Sequence, residues 1–329
     1  MPRRNSFRPI LHDRLEERVV MSGGGRLAPA LLHTVAASTL RNPKLGELGD
    51  SITDEYRFYA PDRSQAKNWV EILAKTRHVQ FGPHSLTSRG EPRNAGFAYN
   101  WARSDATSSD MVQNQLPGLA GQVRRGQVNL VSILIGGNDF LHYANGFNAF
   151  SPPSLAEVQA GLAKVEARAE DNLTTAVRTI MAASPNVKVA IATLPDIRTF
   201  PAVAMLGGYP PLKPLIDAIG PALDKYNARV KALAAEQPGQ IAVVDLNALY
   251  TSLATATAAT GKLKVGNQTI DARTPSDDPR HLFLADGLHI GTVGQGLVAN
   301  AFVQAYDSTF GTTIRPLRPA EILRQAKIR

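Results

Sequence analysis

Residues 128–135 read Val-Asn-Leu-Val-Ser-Ile-Leu-Ile and run straight into Gly136-Gly137-Asn138-Asp139. A stretch of Val, Ile and Leu with little polar alternation predicts a strand buried on both faces, as in a parallel sheet, and the paired glycines stop it. Working outward, 187–194 (VKVAIATL) and 241–246 (IAVVDL) repeat the pattern, and 44–48 (KLGEL) gives a shorter strand ending at Gly49-Asp50-Ser51. Helical spacing fills the intervals. Leu155, Val158, Leu162, Val165, Ala169, Leu173, Val177 and Ile180 recur every three or four residues, with Ser154 placed to cap the start and Pro185 beyond the end. Further helices are predicted over 65–75, over 212–237 with its early part broken by Pro214 and Pro221, and over 292–308. Strands alternating with long helices predict right-handed crossovers and a parallel sheet covered on both sides.

Composition narrows the function. The 329 residues are 43% hydrophobic and contain no cysteine. A disordered chain, a disulfide scaffold, a thiolate zinc site, an iron–sulfur cluster and a cysteine nucleophile are therefore excluded. No apolar run approaches the ~18–20 residues of a transmembrane helix. The formal charge is +8, but it sits at the ends: six Arg against three acids in 1–26, five basic residues against one acid in 315–329, and 25 against 24 between them. A nucleic-acid groove in the folded body is not indicated.

These shifts divide the chain into a flexible basic leader over 1–40, a single α/β domain over 41–312 and a basic tail over 313–329. The leader contains Ser22-Gly23-Gly24-Gly25. Two excursions, a polar insertion over 77–94 and a hairpin over 262–272 turning at Gly266-Asn267, are expected to shape a pocket rim. Oligomeric state is not legible.

Three short blocks carry chemistry. Ser51 follows a strand, at the carboxyl edge where open α/β sheets place their sites. A serine hydroxyl needs a base, and Asp286-Gly287-Leu288-His289 supplies an imidazole and a carboxylate from one turn, although Asp-Gly is also an ordinary turn pair. Asn138 offers a side-chain N–H₂ just past the 128–135 strand, with Asp139 expected to hold the turn. Asp54 reads as an acid in a helix first turn.

Gly49-Asp50-Ser51-Ile52-Thr53-Asp54, Gly136-Gly137-Asn138-Asp139 and Asp286-x-x-His289 resemble, in order, three blocks of the SGNH/GDSL hydrolases, over about residues 44–310. The resemblance implies a three-layer α/β/α sandwich with a flavodoxin-like parallel sheet, and ester hydrolysis without metal or organic cofactor. Ser51 would be the nucleophile, His289 the base and Asp286 its orienting carboxylate. The Ser51 N–H and Asn138 would donate to the oxyanion. The family's remaining block maps to 100–107, from Asn100 to Thr107, where Asp105 replaces a glycine whose N–H completes the oxyanion hole. Its carboxylate is tolerable there only if it points away. Asp50, Trp101, Gly137 and His281 are candidate pocket residues, while the remaining histidines are scattered and no metal-binding spacing occurs. The substrate is expected to be a small-molecule or glycan ester, an uncharged one suiting the near-neutral body. The rival readings are a carbohydrate O-acetylesterase and a weakly active or non-catalytic binding protein on the same scaffold. Residues 14–22 (RLEERVVMS) also resemble the leader of exported planctomycete proteins, which implies export to the cell envelope or beyond.

Overall fold

The computed structural model describes residues 40–87, 95–148 and 150–329. The leader expected over 1–40 lies outside them apart from Leu40, as do 88–94 of the polar insertion. Four parallel strands, β1 (Leu45–Gly49), β2 (Leu130–Leu134), β3 (Lys188–Ala192) and β4 (Ile241–Val244), lie side by side in chain order. In register, Gly49 stands opposite Leu134, and Ile133 opposite Ile191. The outer flank of β1 is also occupied: Leu45 N–H donates to Gln80 O, Glu47 N–H to Tyr99 O, and Trp101 N–H to Glu47 O, each at 2.9 Å. The chain thus visits one side of β1 and crosses to the other for β2. That reversal makes the carboxyl end of β1 a topological switch point, where open α/β sheets leave a crevice.

Helices cover both faces. They are α1 (Trp69–Arg77), α2 (Leu116–Arg124), α3 (Gly137–Asn145), α4 (Leu155–Ala183), α5 (Ile219–Glu236), α6 (Leu246–Thr257), α7 (Thr292–Phe310) and α8 (Pro319–Gln325). The α2, α4 and α5 helices pack together against one face, and α1 and α7 form the other layer. Trp69 stacks on Phe302 at 4.1 Å and joins α1 to α7. With helices on both sides, all five residues of β2 are buried, which is why its sequence does not alternate.

The α4 helix opens with the expected cap, Ser154 exchanging bonds with Glu157, and buries the predicted stripe from Val158 to Ile180. Truncating one such leucine costs about 2–5 kcal/mol. The helix expected over 65–75 instead starts at Trp69, because Asn68 forms a capping box with Glu71. Over 212–237 the break falls between Lys213–Asp217 and α5, with each proline in a first turn where its missing N–H leaves no bond unmade.

The segment expected as a basic tail is folded. Ile322 and Leu323 of α8 are buried against α7, and Glu321 takes an ion pair from Arg77 at 3.1 Å. Backbone bonding at Arg318, with Arg77 alongside, holds the Glu321 carboxyl down at about 2. The hairpin β5 (Lys262–Val265) and β6 (Gln268–Asp271) forms as predicted and packs beside α6.

Glu47 occupies the middle of β1 with no exposed surface. Burial pushes its pKa well above the usual carboxyl value, and nearby Ser132 offsets this only in part. Ser132 Oγ is itself bonded to Tyr306 Oη at 2.6 Å.

Candidate active site

Residues 50–54 wind into a tight turn off β1: Thr53 and Asp54 N–H both donate to Asp50 O, and Ile52 N–H donates to Asp50 Oδ1 at 3.0 Å. Ser51 caps the strand end, nearly buried. Its approach requires Gly49, because a Cβ there would lie 2.7 Å from Leu134 O on the neighbouring strand. Gln115 clamps the same glycine from both sides, receiving its N–H and donating to its carbonyl, each at 2.9 Å. Burial pushes the Asp50 carboxyl up to about 7, with Asp139 adding to the effect.

A second loop is drawn to this turn. Arg103 N–H donates to Gly49 O at 3.1 Å, and Asn100 Nδ2 donates to Thr53 O at 3.0 Å. Ser104 N–H donates to Asp54 Oδ2 at 2.8 Å. Asp54 is therefore not the acid of a helix first turn that its sequence position suggests: it is fully buried, tying the Ser51 turn to the second loop. Asp105 then takes φ +67°, the left-handed region a glycine would favour, and its carboxylate swings out to His142 Nε2 at 2.7 Å. That side chain is 80% exposed, so its charge lies in solvent, while Asp105 as a residue still lines the pocket. Asp139 accepts from Ser108 N–H and Ser108 Oγ at 2.7 and 2.8 Å, so it holds the loop as expected rather than facing the cavity. Asn138 Nδ2 gives one hydrogen to Ala106 O at 3.0 Å, which orients the amide and leaves its other hydrogen.

The Asp286–His289 turn closes the site. Asp286 Oδ1 accepts the N–H groups of Leu288 and His289, both at 2.8 Å, and Oδ2 meets His289 Nδ1 at 2.5 Å. Partial burial opposes its ionisation, but the bonds and charge of His289 outweigh that and bring its carboxyl to about 2. Gly287, at φ +68°, makes this short loop possible. Tyr56 packs edge-on against the imidazole at 6.2 Å.

Nε2 of His289, the atom that would face Ser51, is met by Arg63 Nη1 at 3.2 Å, and no Ser51–His289 hydrogen bond is made. A guanidinium can only donate, so Nε2 is the acceptor and Nδ1 carries the proton given to Asp286. In that arrangement the Nε2 lone pair, which a general base requires, is turned to Arg63. Catalytic hydrogen bonds often tighten only in the substrate complex.

Ser51, Asp50, Asp105, Gly137, Asn138 and His289 line one cavity of about 160 Å³, with Asp286 behind His289. Its apolar lining includes Leu194, Ile197, Phe200, Leu246, Tyr250 and Leu288. Each polar member stands just past the carboxyl end of a strand or on a loop drawn to it. Two expected pocket residues are elsewhere. Trp101 turns its indole to Gln122 and packs over Gly118 on α2, and His281 bonds Thr274 O at 2.6 Å. Neither 77–87 nor 262–272 lines the cavity, because the first crosses the outer flank of β1 and the second packs beside α6. Sequence reasoning missed Arg63, Gln115 and the apolar wall. Only Arg63 carries a conspicuous signal, a cation in the turn-rich stretch Pro61-Asp62-Arg63-Ser64.

Residues 48–297 match the family model of the GDSL-like lipase/acylhydrolases. Among solved structures, the chain is similar to an extracellular lipase from Streptomyces rimosus, at 20% identity over 81% of this chain and 99% of that one, with a TM-score of 0.46. It is similar to phospholipase A1 from Streptomyces albidoflavus at 17% identity, over 82% and 100% of the two chains, with a TM-score of 0.48. A family 3 carbohydrate esterase from Clostridium thermocellum matches at 16% identity, over 82% and 98%, with a TM-score of 0.42. No curated protein matches.

Proposed function

The chain belongs to the GDSL-like lipase/acylhydrolase family, and from that membership we propose that it hydrolyses carboxylic esters through an acyl-enzyme on Ser51. His289 Nε2 takes the Ser51 proton as Oγ attacks the ester carbonyl, then returns it to the departing alkoxide. Water, activated by the same nitrogen, releases the acid. Asp286 keeps the proton on Nδ1 and stabilises the imidazolium that forms. The N–H groups of Ser51 and Asp105 and the side chain of Asn138 receive the oxyanion, where one donor is typically worth ~3–4 kcal/mol.

The observation that carries this reading is the convergence on one cavity of Ser51, the His289–Asp286 pair at 2.5 Å and an Asp105 turned outward at φ +67°. The last favours a working oxyanion hole over a decayed one. The apolar wall favours a lipid-like or simple acyl group over acetate. A cavity of about 150 Å³ lined by Leu, Ile and Phe holds benzene, so the 160 Å³ here suits an acyl chain of about six carbons. Each methylene buried adds roughly 0.8 kcal/mol, which acetate forgoes. Among the described residues no helix is long and apolar enough to cross a membrane, and the leader pattern supports export. The test is labelling by a fluorophosphonate together with turnover of p-nitrophenyl hexanoate and acetate. Ser51→Ala should abolish both label and turnover. A folded wild-type protein that does neither, or a Ser51→Ala variant with full turnover, overturns the reading.

A further inference from the structure

Arg63 is 6% exposed and sits against the base. Its Nη1 lies 3.2 Å from His289 Nε2, its Nη2 donates to Ser104 Oγ at 2.8 Å, and its guanidinium lies over the rings of Tyr59 at 4.0 Å and Tyr56 at 5.5 Å. None of the groups in these contacts is a carboxylate, although Arg63 acts through space on the Asp50 carboxyl and partly offsets the burial that raises its pKa. The carboxylate of Asp54 lies behind them, already receiving Ser104 N–H and the Tyr59 hydroxyl. A cation this buried is ordinarily paired with an anion.

The contact with Nε2 also conflicts with the reaction. Nε2 must accept the Ser51 proton, and its lone pair is engaged by Arg63. Once protonated, His289 would face a second cation at hydrogen-bond distance. Arg63 has to leave Nε2 for turnover, and an anion beside it supplies both the reason to move and the missing partner. Because Nε2 hands its proton to the departing alkoxide, a group next to it borders the alcohol part of the ester, not the acyl part.

We propose, on the premise that the site hydrolyses esters, that Arg63 selects esters whose alcohol carries a carboxylate or phosphate, and that this anion draws the guanidinium off His289. A guanidinium has five N–H donors in a fork suited to either oxyanion. The near-neutral body does not oppose this, since selection rests on one local charge.

The experiment compares kcat/KM for 4-hexanoyloxybenzoate and its neutral carboxamide, and for hexanoylglycerol phosphate and hexanoylglycerol, in wild type, Arg63→Met and Arg63→Lys. Wild type should prefer the anionic member of at least one pair by tenfold or more, and the pair that shows it tells carboxylate from phosphate. Arg63→Met should lose at least tenfold on that anionic ester and gain about two- to fivefold on its neutral partner, because Nε2 is freed. Arg63→Lys, which keeps the charge but not the fork, should fall between them and serves if Arg63→Met does not fold. No preference in either pair, or an equal loss on both members, overturns the proposal. Hydrolysis of the neutral esters that disappears in Ser51→Ala would still uphold the ester-hydrolase reading. If wild type cleaves none of the four, that reading fails first.

Discussion

The two walls of the cavity are built on different principles. The wall formed by 50–54, 104–105, Asp286 and His289 is polar and over-determined: Asp54, Asn100 and Asp286 each accept or give several bonds, so each reactive atom has one place to be. The apolar lining, made mostly where the chain leaves β3 and β4, is a set of side chains held in place by packing alone. Phe200, for example, lies 5.5 Å from Tyr250 with the rings nearly parallel. Directional bonds fail abruptly when one atom changes, whereas apolar packing changes by degrees with volume. Chemistry should therefore be all-or-none across the first wall, and acyl fit graded across the second.

The sharpest way to break this contrast is Asp286→Asn. It preserves shape, yet an amide no longer imposes Nδ1–H on His289, and kcat should fall by roughly 10⁴-fold with KM little changed. A loss below about tenfold would mean that the polar wall is more tolerant than its bonding implies. On the apolar wall, Leu246→Trp fills space without touching a reacting atom. The ratio of hexanoate to acetate turnover should drop about tenfold while acetate itself is retained, since a misfitting methylene or two is worth ~1–3 kcal/mol. A uniform loss across chain lengths would show that Leu246 supports the chemistry instead. The smallest effect is expected at Asp105→Gly. With the carboxylate already turned to His142 and φ already suited to glycine, kcat/KM should stay within about threefold. A large gain would identify Asp105 as a brake.

Legibility in the sequence follows the same division. Ser51, Asn138, Asp286 and His289 could be singled out as candidates because each sits in a short local block, and the structure brings them to one cavity. The parallel sheet was legible because strands buried on both faces lose their alternation. The apolar wall was not, since Leu194, Phe200, Leu246 and Tyr250 look like any core residue until the strand ends gather them. Trp101 and His281 failed as pocket residues for the converse reason: closeness in sequence to a motif does not set the direction of a side chain. Arg63 and Gln115 act across long separations, through contacts that no local pattern encodes. The docked α8 was hidden by charge, because its arginines dominate a segment whose Ile322 and Leu323 do the packing.

Glu47 extends the reach of the sheet to bulk pH. Folding encloses its carboxyl and keeps the proton on, whereas the unfolded chain releases that proton near the ordinary value of 4.5. Above that value the unfolded state binds fewer protons than the folded one, so the free energy of unfolding declines with rising pH until the enclosed carboxyl ionises. Glu47→Gln should abolish that part of the decline, and thermal melts taken from pH 5 upward should diverge from wild type, with the variant the more stable. The alkaline endurance of this protein should thus be limited from the strand that leads into the Ser51 turn, four residues upstream of Ser51 and inside the sheet.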